Sequence, residues 1–319
     1  MRALVWHGDT RIDLEDLPAP PLATGEVVLE VELAGICGSD MHPYRGHPGP
    51  RHPPLILGHE VVGSVADRPG RFTVFPLVTC GRCRRCLAEE ENLCERRHLL
   101  GLDLPGVFAT QVAVREDALL PIPDGLDSRI AVLVEPLAAS LSAWRVDGIA
   151  AGDSVLVVGG GPIGLLAVYL CAQRGARVVC AEPVAERRVL AERFGASEVL
   201  AETSAVRPEQ ADFAIDAVGV EQTWRAAIGG VRPGGTVALV GLGQAEGVMP
   251  AADLVRRGVT VRGHYAYTRA DFEEALGFLA ETPPPLDWLT VMGLSEGAEG
   301  FRRLVEEPNS VTKVLLATR

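Results

Sequence analysis

The chain opens with MRALVWHGDTRIDLEDLP, where apolar and polar positions alternate and charges are scattered throughout, the pattern of half-buried strands. From Ala151 the pattern changes. DSVLVVGGGPIG (153–164) is an unbroken apolar run that closes on glycines, as expected of a strand buried on both faces followed by a tight turn. LLAVYLCAQRGA (165–176) continues as a helix. Strand RVVCAE (177–182), helix EPVAERRVLAERFGA (182–196), strand DFAIDAVG (212–219) and helix VEQTWRAAIGGV (220–231) follow. Then come strands GGTVALVGLG (234–243) and VTVRGHYAY (259–267) and helix RADFEEALGFLA (269–280). Such alternation predicts a doubly wound parallel sheet. TPPPLDW (282–288) reads as a rigid linker returning the chain to the first domain, where AEGFRRLVEEPNSVTKVLLATR (298–319) supplies a helix and a last strand. No internal repeat or low-complexity segment is visible.

Composition narrows the class. A length of 319 residues suits two ordinary domains. With 47% hydrophobic and 23% charged residues, extended disorder is disfavoured. A net charge of -12 repels phosphate backbones, which argues against nucleic acid as partner. Nearly all positive charge is arginine, and the only lysine is Lys313, a bias read as genomic. The N-terminus lacks the apolar core of a signal peptide. The longest apolar run, 155–172, is broken by glycines and a proline, which argues against a membrane helix. A cytoplasmic protein without membrane partners is the expectation.

The seven cysteines are an odd number without an export signal, which disfavours a disulfide framework. Four crowd into CGRCRRCLAEEENLC (80–94), spaced Cys80-x2-Cys83-x2-Cys86-x7-Cys94. Four thiolates on one short loop can close a tetrahedron around zinc with no position left for substrate, a structural site. An iron–sulfur cluster is the rival, since CxxCxxC begins ferredoxin motifs, but here seven residues precede the fourth cysteine and no proline follows it. Cys171 and Cys180 read as core.

Upstream, GICGSDMH (35–42) and LGHEVVG (57–63) offer the Cys37 thiolate, the His59 imidazole and the Glu60 carboxylate. Zinc held by three protein groups keeps a position for water or substrate. In the second half, Gly159, Gly161 and Gly164 follow an apolar strand and open a helix, whose N-terminal amides and dipole suit a dinucleotide pyrophosphate. Glu182 ends the next strand, where an acid accepts hydrogen bonds from ribose hydroxyls and repels a 2′-phosphate. That favours NAD over NADP, with Arg187–Arg188 as the competing phosphate-binding signal.

GICGSDMH, GHE and the spaced cysteines, together with VEPLAASLSAW (134–144), resemble the zinc-dependent medium-chain dehydrogenase/reductase family of alcohol, sorbitol and threonine dehydrogenases, over nearly the whole chain. The resemblance implies an α/β two-domain protein. A GroES-like antiparallel β catalytic domain, residues 1–137 and 280–319, would carry the structural-zinc lobe (80–94), and a Rossmann NAD-binding domain would span 138–279, with the active cleft between them. It implies two zinc ions per chain. Cys37 and His59 would hold the catalytic one, with Glu60 and Glu135 as ligand, water-holder or exchanging pair, a choice left open. It implies Ser39 and His42 as a proton relay, and Pro162, Ile163, Arg187, Val218 and Leu242 as further cofactor contacts. The expected reaction is hydride transfer between NAD and a secondary alcohol (a polyol, sugar or amino alcohol), in a homodimer or homotetramer. The alternatives are a polyol-phosphate dehydrogenase, to which the basic loop 42–54 with Arg45, His47, Arg51 and His52 would contribute, and a non-catalytic binding protein on this fold. A zinc-free quinone or enoyl reductase fits poorly, because those relatives lack the cysteine lobe. The connection 61–79 departs from the family: it is short and lacks a Gly-Asp-Arg-Val-like turn.

Overall fold

A computed structural model describes residues 1–47 and 49–318. The chain forms two compact units, Met1–Glu135 with Thr268–Arg319, and Pro136–Tyr267.

The first unit is built mainly of antiparallel strands. Its N-terminal part holds β1 (Arg2–Trp6), β2 (Ile12–Asp16), β3 (Glu26–Gly35), a short helix α1 (Met41–Tyr44), β4 (Leu55–Ile56), β5 (Glu60–Val65), β6 (Phe72–Val74) and β7 (Leu77–Val78). Helix α2 (Arg84–Leu87), β8 (His98–Leu99), β9 (Gln111–Arg115), β10 (Leu119–Pro121) and α3 (Ser128–Ala131) follow. A seven-stranded sheet runs β10-β6-β5-β3-β18-β17, with β9 also paired to β3. Its last two members come from the end of the chain, β17 (Leu289–Gly293) and β18 (Lys313–Ala317).

Period-two patterning explains β3: Leu29, Val31 and Leu33 are buried while Glu30 and Glu32 are only partly so. The buried strand β18 lies between β3 and β17, antiparallel to the first (Leu315↔Gly35) and parallel to the second (Leu289↔Lys313). Gly35 is also paired with Glu60 of β5. The end of β3, the start of β5 and the start of β18 therefore meet at one end of the sheet. The short 61–79 connection is made of β5, a turn with Asp67 and Gly70 in the left-handed region, β6 and β7.

After α4 (Val134–Asp147), the second unit alternates β11 (Ser154–Val158), α5 (Pro162–Gln173), β12 (Arg177–Ala181), α6 (Ala185–Arg193) and β13 (Glu198–Leu200). It then continues through β14 (Ala211–Asp216), α7 (Glu221–Gly230), β15 (Val231–Leu239), α8 (Ala251–Arg257) and β16 (Thr260–Gly263). All pairs are parallel, in the order β13-β12-β11-β14-β15-β16. This is the doubly wound order 3-2-1-4-5-6, whose switch point lies between β11 and β14. The central strands β11 (SVLVV) and β12 (RVVCA) are buried beyond their first residue, as expected of strands covered on both faces. Cys171 and Cys180 are fully buried core residues. Among the described residues no helix is long and apolar enough to cross a membrane.

Three expectations need correction. The strand expected over 259–267 ends at Gly263. Helix α9 (Arg269–Glu281), expected in the dinucleotide half, belongs to the first unit. There its Phe272 ring meets Phe75 edge-on at 5.7 Å, and the Arg269 amide donates to Glu91 at 2.5 Å. Residues 282–288 therefore connect elements of one unit and do not link two.

The last helix, α10 (Gly297–Glu306), fixes α1. Phe301, fully buried, packs against Tyr44 (5.6 Å between ring centroids) and Phe108 (5.9 Å). Phe301→Ala is expected to cost about 3–5 kcal/mol in urea unfolding, the range for emptying an aromatic core position. A loss below about 1 kcal/mol, smaller than a typical core truncation, would mean that Phe301 does not anchor α1.

Candidate functional site

The cysteine lobe is folded by short local elements. Gly81, with φ +65°, turns the chain after Cys80, α2 presents Cys86, and a following turn brings in Cys94. The four Sγ atoms lie within 4.8 Å of one another, with separations of 3.9 Å (Cys80–Cys86), 3.5 Å (Cys83–Cys86) and 3.9 Å (Cys83–Cys94). A tetrahedral zinc with bonds of about 2.3 Å requires edges of about 3.8 Å. Amides support the sulfur charge, with Cys80 N and Arg96 N donating to Cys94 Sγ at 3.5 and 3.4 Å. The Arg82 amide lowers the Cys80 thiol to about 5, and the Cys86 amide pulls Cys83 down. Burial and the neighbouring sulfurs push Cys86 up to about 11. The geometry fits one four-coordinate ion.

A second cluster brings together Cys37, His59, Glu60 and Glu135, whose ligand atoms also lie within 4.8 Å. Cys37 sits just past β3, His59 and Glu60 at the entry to β5, and Glu135 in the first turn of α4. The frame under His59 is a tight backbone stack. Gly58 has φ +94°, and a Cβ there would meet the Phe108 ring at 2.5 Å. Val107 N and Phe108 N donate to the carbonyls of Gly58 and Leu57 at 3.1 Å. Asp40 links the two ligand-bearing segments: it is fully buried and accepts from Cys37 N (3.1 Å) and Gly58 N (3.2 Å). It also faces His59 Nδ1 at 3.7 Å.

At this cluster the buried His59 Nδ1 is left without a good hydrogen bond, and the buried Ser39 Oγ, in the same loop as Cys37, meets only the Cys37 sulfur. The Cys37 thiol is pushed up to about 11, first by burial and then by the Glu60 carboxylate. A pocket that resists thiol ionisation this strongly suits a cation that replaces the proton. The donor set therefore fits a metal.

The four residues are not equivalent. Glu60 lies against Lys313 Nζ, with its carboxylate oxygens at 2.6 and 2.5 Å, and Lys313 also donates to Ile36 O at 2.9 Å. The side chains are 0% and 1% exposed. Gly35 makes this possible, since a Cβ there would lie 1.9 Å from Glu60 Oε2. Glu135 Oε1 is 4.0 Å from His59 Nε2. Sequence reasoning missed Lys313 and Asp40; that the chain keeps one lysine among 30 basic residues was the available signal.

His42 lies in α1, half-buried. Its proton affinity is below the ordinary value, because of burial, then Arg51 and Arg45, with Asp40 opposing. The basic loop 42–54 is not a uniform anion-binding arm. Arg45, His47 and His52 are exposed, but Arg51 is buried, and its Nε donates to Gly101 O at 3.0 Å. This corrects the expectation that Arg51 reaches toward a substrate phosphate. Pro48 of that loop lies outside the described residues.

In the second unit, the turn after β11 is a cradle that side chains would fill. Gly159 has φ +100°, and its Cβ would strike Val218 at 2.5 Å; a Cβ on Gly164 would lie 1.8 Å from Gly159 O, whereas Gly161 faces open space. Pro162 and Ile163 form the first turn of α5 behind it. Glu182 accepts from Gly160 N at 2.5 Å and Val184 N at 2.8 Å, one bond to each oxygen. Arg188 is turned onto the Glu182 and Pro183 carbonyls at 3.0 and 2.7 Å, and Arg187 lies in the first turn of α6. Buried Asp216, also missed, holds the turn carrying Val218 by accepting from Val218 N (2.9 Å), Gly219 N (3.1 Å) and Thr223 Oγ1 (3.0 Å). Leu242 follows Gly241 past β15 and is 69% exposed. A carboxylate beside a glycine turn at a helix N-terminus fits a dinucleotide.

Two family models match the chain, an alcohol dehydrogenase GroES-like domain over residues 23–124 and a zinc-binding dehydrogenase over 162–281. A sorbitol dehydrogenase of Bacillus subtilis is 29% identical over 99% of this chain and 97% of its own length. An L-galactonate-5-dehydrogenase of Escherichia coli is 31% identical, covering 88% of this chain and 85% of its own. Among solved structures, the alcohol dehydrogenase TADH from Thermus sp. ATN1 superposes with a TM-score of 0.93 at 30% identity, covering 100% of each chain.

Removing one member of a buried ion pair strands the other, at a cost of about 3–5 kcal/mol. Lys313→Met is expected to lower urea-unfolding stability by that amount, and adding Glu60→Gln is expected to restore most of it. A single variant within about 1 kcal/mol of the parent, the scale of an exposed pair, would show that the pair does not carry this weight.

Proposed function

We propose that this chain, which belongs to the zinc-dependent medium-chain dehydrogenase family, oxidises a secondary alcohol of a polyol, sugar or amino alcohol with zinc and NAD. The observation that carries the reading is the convergence of Cys37, His59, Glu60 and Glu135, with the buried Ser39 hydroxyl against the Cys37 sulfur. The sorbitol and L-galactonate enzymes among its relatives support a polyhydroxylated substrate.

In this reading Cys37, His59 and Glu135 hold the catalytic zinc, while Lys313 keeps Glu60 as a nearby carboxylate. A second zinc closes the Cys80, Cys83, Cys86 and Cys94 site. A zinc held there would lower the pKa of an alcohol hydroxyl, and NAD would supply the hydride acceptor. Ser39 Oγ would accept the substrate proton as it gives up its own, and the neutral His42 imidazole would take up the released proton and pass it toward solvent. Gly159, Gly161 and Gly164 give the pyrophosphate access to the amides at the start of α5. Glu182 has lone pairs left for ribose hydroxyls and repels a 2′-phosphate, which favours NAD. Arg187, Val218 and Leu242 border the nucleotide. We further propose that the chain assembles as a homodimer or homotetramer.

The polyol-phosphate alternative is weakened by the internal engagement of Arg51. A non-catalytic role leaves the convergence of four metal-binding groups around Cys37 and His59 unexplained.

Zinc-loaded protein is expected to form NADH with polyols such as sorbitol, more efficiently than it forms NADPH from NADP, and Cys37→Ala is expected to abolish turnover. Silence across polyols, polyol phosphates, amino alcohols and simple secondary alcohols, with two zinc ions bound, would overturn the catalytic reading.

His42 can accept a proton only when neutral, so kcat/KM falls as pH drops through its pKa. Burial and the Arg51 and Arg45 charges hold that pKa below 6.5. The acid limb is therefore expected below pH 6.5, and Arg45→Gln moves it upward. A limb at or above 6.5 in the parent protein contradicts the assignment.

A further inference from the structure

We propose that Arg51 is a positioning residue for the Cys37/His59 metal centre, acting through Asp40 on one side and the Gly101 turn on the other. The inference rests on the reading of Cys37 and His59 as zinc ligands.

Arg51 is 5% exposed on its side chain, an unusual position for a guanidinium without a dedicated partner. Its Nε donates to Gly101 O at 3.0 Å, and its terminal nitrogen lies 3.9 Å from Asp40 Oδ1. Both contacts lead to His59. Asp40 faces the imidazole Nδ1 at 3.7 Å and holds the amides of Cys37 and Gly58. Gly101, with φ +71°, presses on Gly58 so closely that a Cβ there would lie 2.5 Å from Gly58 N.

The chemistry gives the arrangement a purpose. A carboxylate facing the far nitrogen of a metal-binding imidazole favours one ring orientation and strengthens it as a donor; at 3.7 Å Asp40 acts by its charge and through the Cys37 and Gly58 amides it holds, not by a hydrogen bond to the ring. Asp40 is fully buried, and a buried carboxylate must be compensated. Arg51 is the cation that faces it, and its planar fork can span a carbonyl and a carboxylate at once. Without Arg51, Asp40 loses its counter-charge and the Gly101 turn loses a tie to the loop, so the imidazole is less well held.

The test uses the full-length zinc-loaded protein and competition with a chromogenic chelator, which reads the two zinc sites of each molecule separately. Arg51→Gln keeps a donor for Gly101 O but removes the charge. It is expected to release zinc from the Cys37/His59 site about tenfold more readily, within the range for disturbing the partners of a ligating histidine. The four-cysteine site should be unchanged. Arg51→Lys restores the charge and is expected to recover part of the loss. Equal release from both sites would indicate a general folding defect and overturn the proposal. Unchanged release from both sites, or no recovery with Arg51→Lys, would overturn it as well. A parent protein that binds only one zinc would instead refute the ligand assignment.

Discussion

The ion pair between Lys313 and Glu60 is the constraint on which the rest of the first unit depends. It joins residues 253 positions apart in the chain, and neither side chain touches water. Taking two charges out of water is costly, and mutual attraction offsets that cost only when the remaining hydrogen-bonding capacity is used. Here the ammonium satisfies itself on both Glu60 oxygens and on Ile36 O. The pair sets the register of the last strand, because Lys313 must begin β18 at the point where β3 ends and β5 begins. It also dictates the residue between them: only glycine leaves room at position 35.

That constraint reaches the candidate chemistry. With Glu60 facing a lysine, the cluster divides into a carboxylate already neutralised and three donors available to a cation. Burial and the Glu60 carboxylate hold the Cys37 thiol up at about 11, so a nearby cation would favour its thiolate. The backbone stack of Gly58, Gly101 and residues 106–108 keeps the imidazole in place, and Asp40 ties its two sides together. Donors held in this way suit metal-assisted chemistry, since preorganised groups need not rearrange during the chemical step.

Much of this was legible from sequence because it is local. The cysteine spacing encodes a short loop whose sulfurs can reach one another, and the glycines after VLVV encode a turn that side chains would fill. The parallel sheet follows from alternating apolar runs. What escaped depends on contacts distant in sequence. Lys313 looked like the exception to a genomic arginine bias, whereas it is enclosed against the Glu60 carboxylate beside the site. Arg51 sits in a loop rich in proline, histidine and arginine, which suggested a solvent-facing anion site. Its burial depends on a carbonyl 50 residues away. Helix α9 carries no mark of its unit, because its apolar face would serve either one, and the Phe75–Phe272 contact decides.

The most direct test of the central claim is a crystal structure of the zinc-loaded protein, with the metal located by its anomalous scattering. The account requires zinc at Cys37, His59 and Glu135, with Glu60 still paired to Lys313. Zinc bound to Glu60, with Lys313 displaced and Glu135 turned away, would contradict it.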